Sequence, residues 1–259
     1  SAASIRKFRK INPELPLLLC LSGTDINTFQ VSHPEETYGS MEIADRLICL
    51  NDRVARSIPR RFHQKLHVIK QSAPPIRRKP SIKNCFEILV AGHLRDEKDP
   101  MRTAQAVRIL PVTSRIQILH MGKAIDENYR RNALAEMEQN SRYNWAGEVP
   151  RWKVRQKMAR AQAMIISSRQ EGGANVVSEA IMADLPIIAS KIDGNIGLLG
   201  TNYNGYYPAE DTQALTKLLI RIEIDAAFLK ELSAQIRALK PKFTEKQELA
   251  AWKALLNNL

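Results

Sequence analysis

The sequence has 259 residues, 44% hydrophobic and 25% charged, with a formal net charge of +12. That is the make-up of an ordinary globular protein with apolar material for one large or two modest cores. It excludes a membrane-spanning helix, because no apolar run approaches the ~20 residues a span needs. It also speaks against a stacking platform for nucleic acid, since aromatics are only 6% and do not interleave with the basic clusters.

In chain order, residues 1–11 are basic and carry no apolar stretch of the kind a secretory signal requires. Apolar runs at 17–21, 46–50 and 67–71 read as strands. Three strands are too few for a complete doubly wound unit, so residues 1–75 are expected to be a partial N-terminal domain whose first segment is missing. Cys20 and Cys49 sit inside apolar runs and Cys85 lies apart from both, without a CxxC, which predicts reduced core thiols and a cytoplasmic setting. His63 and His67 are four apart, but no carboxylate or cysteine joins them at ligand spacing, so no metal site is expected.

Residues 71–83, QSAPPIRRKPSIK, hold three prolines and four basic residues, the composition of an interdomain linker, assigned to 76–84. Beyond it, strands at 86–91, 116–120, 143–145, 163–167 and 187–190 alternate with helical periodicity at 101–110, 127–139, 151–161, 176–183 and 212–223. Strand-helix alternation of this kind predicts a parallel sheet covered by helices on both faces, a complete α/β domain over 85–240. Residues 241–259 have apolar residues at helical spacing and are expected to form a helix that packs back on the N-terminal domain.

The densest chemistry lies in SSRQEGGANVVSEAIMADLPIIAS, residues 167–190. A strand runs into a loop with Gly172 and Gly173, then into a helix that starts near Asn175 and Val176. Free N–H groups of such a loop and of a helix N-terminus favour phosphate oxygens. Glu171 and Glu179 flank the loop, and acceptor-only carboxylates there suit sugar hydroxyls, which donate. The bland alternative is an exposed helix carboxylate beside an ordinary turn. A second loop, residues 92–100, places Gly92, His93, Arg95 and Lys98 after the first strand of the same domain. It reads either as a phosphate grip or as a charged cap on the next helix.

Glu171-x7-Glu179, followed by Ala180 and Leu185-Pro186, resembles the signature of the group 1 glycosyltransferases, which have the GT-B fold of two Rossmann-like domains. The resemblance implies that Glu171 lies by the transferred sugar and Glu179 binds the nucleotide ribose. It implies that Arg95 and Lys98 share the grip on the donor diphosphate, with Gly92 on the family glycine and His93 where the family has Arg. Asp184 stands where the family has glycine and is expected in a left-handed conformation, which Asp tolerates. LSGTDI at 21–26 resembles the family's His-Gly-Thr-Asp, with Ser22 in place of the histidine, and makes Gly23, Thr24 and Asp25 acceptor-side candidates. Asn195, in the glycine-bearing stretch 194–200, joins them. That stretch is expected either to cradle the sugar or acceptor or to be only a turn.

The wider pattern, including residues 92–100 and 171–175 and GNIGLLG at 194–200, is similar to the selenosugar synthases of selenoneine pathways. That resemblance implies transfer from a UDP-sugar to selenophosphate, without metal or cofactor. Two alternatives stay open. One is a group 1 enzyme with a lipid or other small-molecule acceptor. The other is a non-catalytic basic α/β protein that binds phosphate or nucleic acid, although no nucleic acid is expected. The charge is read either as a solvated basic surface or as a field for an anionic ligand or membrane face, and no pattern supports membrane association.

Overall fold

The computed structural model describes residues 2–82 and 84–259; Ser1, at the start of the predicted partial domain, and Lys83, inside the predicted linker, lie outside the described residues. The chain opens with helix α1 (Ala2–Ile11) and strand β1 (Leu18–Cys20). A π-helical turn (Asp25–Phe29), a short α2 (Gln30–Ser32), α3 (Pro34–Ile43), β2 (Arg46–Cys49) and β3 (Leu66–Val68) complete the first unit. Its sheet is parallel and three-stranded, in the order β1-β2-β3. Leu21, Ile26, Met41, Leu47 and Phe62 fill its core.

The second unit runs through β4 (Phe86–Ala91), α4 (Arg102–Arg108), β5 (Ile116–Met121), α5 (Glu127–Gln139), β6 (Tyr143–Trp145), α6 (Arg151–Met158) and β7 (Ala163–Ile166). It continues with α7 (Asn175–Met182), β8 (Ile187–Ser190), α8 (Asp193–Leu199), β9 (Tyr206–Tyr207), α9 (Thr212–Ile224) and α10 (Ala226–Leu239). The six strands are parallel in the order β6-β5-β4-β7-β8-β9, so the chain winds outward from β4 in one direction and from β7 in the other. β7 and β8 are buried at every position, as a sheet covered on both faces requires. This is the α/β class with parallel sheets that the strand-helix alternation predicts.

Helix α11 (Glu245–Leu256) follows, and its Leu255 packs with Ile48 and Ile69 on the far face of the first sheet, beside Trp252. Between the two units, residues 73–79 are tied down by hydrogen bonds. Ala73 N–H donates to Phe243 O, Ile76 N–H to Met182 O and Lys79 N–H to Ala159 O, while the Arg78 guanidinium holds the carbonyls of Met158 and Ala161 at 2.6 Å. Proline removes donors, so this segment satisfies its backbone on the second unit rather than in a ladder.

Several expectations need correction. The third strand sits at Leu66–Val68 and not at 67–71, because Ile69 N–H makes the last ladder-like bond, to Cys49 O, and Lys70 turns to the second unit. Cys20 is exposed at the sheet edge, whereas Cys49 is buried as expected and burial pushes its thiol up to about 11. Residues 194–200 are not a loop: α8 occupies most of them despite Gly194 and Gly197. A Cβ on Gly194 would lie 2.2 Å from Glu171 O, and one on Gly197 2.3 Å from Asn51 Oδ1. Those glycines serve close approach, which outweighs their weak helix propensity. Asp184 does adopt the left-handed conformation, at φ 51°, and closes α7.

Candidate functional site

The winding reverses between β4 and β7, and a doubly wound sheet binds ligands at that crevice, outside the strands' carboxyl ends. Two loops meet there: residues 92–101 after β4 and residues 167–174 after β7. They are bonded into one frame. Ser167 Oγ donates to Lys98 O (2.9 Å) and Asp99 O (3.0 Å). The Arg169 N–H donates to Glu97 O, and its guanidinium reaches Asp96 O (2.7 Å), Asp96 Oδ1 (2.8 Å), Asp99 Oδ1 (3.2 Å) and Glu210 Oε1 (2.7 Å). A planar fork with five donors can tie that many acceptors at once.

This frame sets Lys98 against Glu171. The Lys98 ammonium contacts Glu171 Oε1, and Ser168 Oγ donates to the same oxygen at 2.6 Å. The Glu171 side chain is only 8% exposed, so its charge is held by two donors in a largely dry place. Glu179, on the inner face of α7, is equally buried and accepts from Arg151 Nε at 2.7 Å, with Arg155 at 3.7 Å. Arg155 also holds the carbonyls of Pro74 and Pro75, which ties the segment between the units to this carboxylate.

A cleft of about 700 Å³ opens between the units over these groups. Ser22, Gly23 and Thr24 line it from the first unit, and Arg95, Lys98, Glu171, Gly172 and Gly173 from the second. A small adjoining hollow is lined by Gly92, His93 and Val176 and shares Lys98 and Glu171. Arg95 is ion-paired with Glu97 at 2.8 Å, and His93 Nδ1 accepts the Lys123 N–H. Asn175 opens α7 with its Oδ1 buried and unpartnered. The predicted candidates from the two loops are thus brought together, with Glu179 one turn behind them.

Two acceptor-side candidates are not. Asn195 is fully buried, and its amide donates to Ser190 O (2.9 Å) and Ser190 Oγ (3.1 Å) inside the fold. The Asp25 carboxylate turns back to accept from Ser22 N–H (2.8 Å) and Ser22 Oγ (2.7 Å) and faces the other side of the loop. Sequence reasoning missed Ser168, Arg169, Arg151 and Asn27, whose amide holds Gly23 O at 2.8 Å and lines the cleft. The partners of Arg169 and Arg151 lie on other elements, which no local spacing reveals, whereas Ser168 and Asn27 bond within their own loops, three and four residues away, and carry no motif of their own.

His120, beneath the first loop, is fully buried and its Nε2 lies 3.1 Å from Gly92 O. A carbonyl only accepts, so Nε2 carries the proton and Nδ1 accepts from Tyr143 OH at 2.8 Å. Burial lowers its pKa to about 4, against the Gly92 bond, which raises it. A depressed histidine pKa means the unfolded chain takes the proton first. The contribution is therefore whole above the ordinary value of 6.5 and is lost as pH falls toward 4. Urea unfolding at pH 7.5 and pH 5 is expected to show wild type losing up to about 1.4 kcal/mol per pH unit more than His120→Gln below pH 6.5.

Among the described residues no group of three metal-ligating side chains converges, and no helix is long and apolar enough to cross a membrane. What the cleft presents is the Arg95 and Lys98 cations and the Gly172–Gly173 loop beside a buried carboxylate. Groups of this kind suit an anionic leaving group on one side and an electron-poor carbon on the other.

Residues 73–239 match the family model of glycosyl transferases group 1. No curated protein sequence matches the chain. Among solved structures, HepE of Anabaena in complex with UDP and glucose superposes with a TM-score of 0.82 at 16% identity, over 100% of this chain and 77% of HepE. A TarM variant of S. aureus in complex with fondaparinux, α-GlcNAc-glycerol and UDP gives 0.80 at 14% identity, over 99% of this chain and 54% of TarM. The sucrose-phosphate synthase of Thermosynechococcus elongatus gives 0.79 at 16% identity, over 99% of this chain and 71% of that enzyme.

Proposed function

The chain belongs to the group 1 glycosyltransferases, and on that premise we propose that it moves a sugar from a UDP-sugar to a small anionic acceptor, selenophosphate, to give a 1-selenosugar. The observation that carries the donor half is the buried Glu171 carboxylate at the switch point, held by Lys98 and Ser168 beside the glycine loop. Structural neighbours bound to UDP and glucose, and to UDP-glucose, support UDP as the nucleotide. The acceptor half rests on the sequence resemblance and on Ser22. Its hydroxyl is committed to Asp25, so no histidine-like base stands at that point of the cleft. A selenium nucleophile that is already anionic needs none.

In this reading the C1–O bond to the diphosphate breaks and its electron pair leaves with UDP, where Lys98, Arg95 and the N–H groups of Gly172 and Gly173 receive the charge. A selenium lone pair forms the C1–Se bond, and water then takes the phosphoryl group from selenium. Glu171 faces the positive charge that develops at the sugar, and Glu179 takes the ribose hydroxyls in exchange for Arg151. No divalent ion takes part.

The test supplies UDP-glucose and UDP-N-acetylglucosamine, each with and without selenophosphate, and follows UDP release with mass spectrometry of the product. Selenophosphate-dependent release and a selenosugar mass are expected. Donor binding without selenium transfer moves the assignment to another acceptor, and no binding of any nucleotide sugar overturns the donor site.

A further inference from the structure

We infer that Asn51 is a positioning residue for glycosyl transfer: it latches the Glu171 loop to the first unit, so that the carboxylate is set over the acceptor side only when the two units are docked. The inference rests on the donor reading above, in which Glu171 acts at the sugar.

Asn51 follows β2 and is 1% exposed. Both ends of its amide are used. Oδ1 accepts the Arg53 N–H at 2.9 Å and caps the turn after β2, while Nδ2 crosses to the second unit and donates to Gly172 O at 2.9 Å. An amide bonded at both ends is directional, so it fixes the orientation of the Gly172–Gly173 peptide, one residue beyond Glu171.

The surroundings leave no slack. The backbones of Gly23 and Gly172 face each other so closely that a Cβ on Gly172 would lie 2.4 Å from Gly23 N. On the other flank a Cβ on Gly197 of α8 would lie 2.3 Å from Asn51 Oδ1 and 2.6 Å from Asn51 Cβ. Lys70 adds a second crossing bond, from its ammonium to Gly197 O at 3.1 Å. Asn51 therefore stands where β2, the Glu171 loop and α8 converge. A buried donor with one partner across the gap is lost whenever the units part, and the loop loses its anchor with it.

Asn51→Asp keeps the size and the turn cap but points an acceptor at the Gly172 carbonyl. It is expected to lower kcat for UDP release from UDP-glucose at least tenfold, both in hydrolysis by water and with selenophosphate. KM for UDP-glucose and Kd for UDP should stay within threefold, since those contacts lie in the second unit. Solution scattering of the UDP-bound variant should show a larger radius of gyration than wild type. Gly197→Ala adds one methyl on the opposite side of the same contact and should lower kcat likewise, although alanine favours a helix. Combined with Asn51→Gly, it should be no slower than Asn51→Gly alone.

Wild-type kcat and an unchanged scattering profile in either single variant overturn the inference. Equal losses in kcat and UDP affinity also overturn it. If Asn51→Asp does not fold, Gly197→Ala decides. The two readings fail separately: turnover that survives Glu171→Gln sinks the donor reading, whereas a dead Glu171→Gln beside a fully active Asn51→Asp sinks only the latch.

Discussion

Glu171→Gln is expected to lower kcat for UDP release by about 10³-fold while leaving the Kd for UDP within about threefold. The substitution is nearly isosteric: it removes the charge and turns one oxygen into an NH2 donor, but leaves a carbonyl oxygen to accept from Lys98 and Ser168. Preorganised charge in a water-poor site supplies ~4 kcal/mol at a developing transition state, which is three powers of ten in rate. Glu171 meets the conditions: it is nearly buried, both of its bonds fall on Oε1, and its loop is pinned by Arg169, Ser167 and Asn51. In the donor reading UDP binding should survive, because the ribose is assigned to Glu179 and the phosphate groups to Lys98 and Arg95. Single-turnover kinetics beside calorimetric titration of UDP separates the two quantities. Parallel loss of UDP affinity and rate would instead mean that the loop had collapsed and would remove Glu171 from the chemistry.

Lys98→Ala is expected to act on both quantities, with kcat down about 10²-fold to 10³-fold and the Kd for UDP up about tenfold. The lysine is in contact with Glu171, and in the donor reading it also faces the diphosphate. Charge on the diphosphate is present in the ground state and grows on bond cleavage, so its counter-charge contributes to binding and more to rate. The contrast with Glu171→Gln is the informative part: one variant spares UDP affinity and the other does not. The same pair of assays reads it. A Lys98→Ala enzyme with wild-type UDP affinity would place the diphosphate elsewhere, on Arg95 and the glycine loop alone.

Most of the second unit was legible from one sequence. Strands at 86–91, 143–145 and 187–190 and the helix at 127–139 coincide with β4, β6, β8 and α5. Each is a short buried apolar run, or a helical repeat bounded by a turn, and parallel α/β units make those periods clear. β9 was missed because two residues carry no period. α1 was passed over because its basic residues mask the spacing of Ile5, Phe8 and Ile11. Helix α8 was read as a loop because glycine is a poor helix former, and here packing decided against propensity.

Local sequence by itself determined the chemistry-bearing loops: Gly92 to Lys98 after one strand, Glu171 to Glu179 after another, and the glycines between. Covalent spacing alone puts a carboxylate at a strand's end and another a turn into the next helix. Only the tertiary structure decided which of these groups meet. Lys98 lies 73 residues from Glu171, Arg151 lies 28 from Glu179, and Asn51 lies 121 from Gly172. It also set Asn195 and Asp25 apart from the other candidates, the Asn195 amide donating to Ser190 inside the fold and the Asp25 carboxylate accepting from Ser22. A buried polar atom must take whichever partner the packing brings within about 3 Å, and that choice is made by the sheet order and the docking of the two units, which no local pattern encodes.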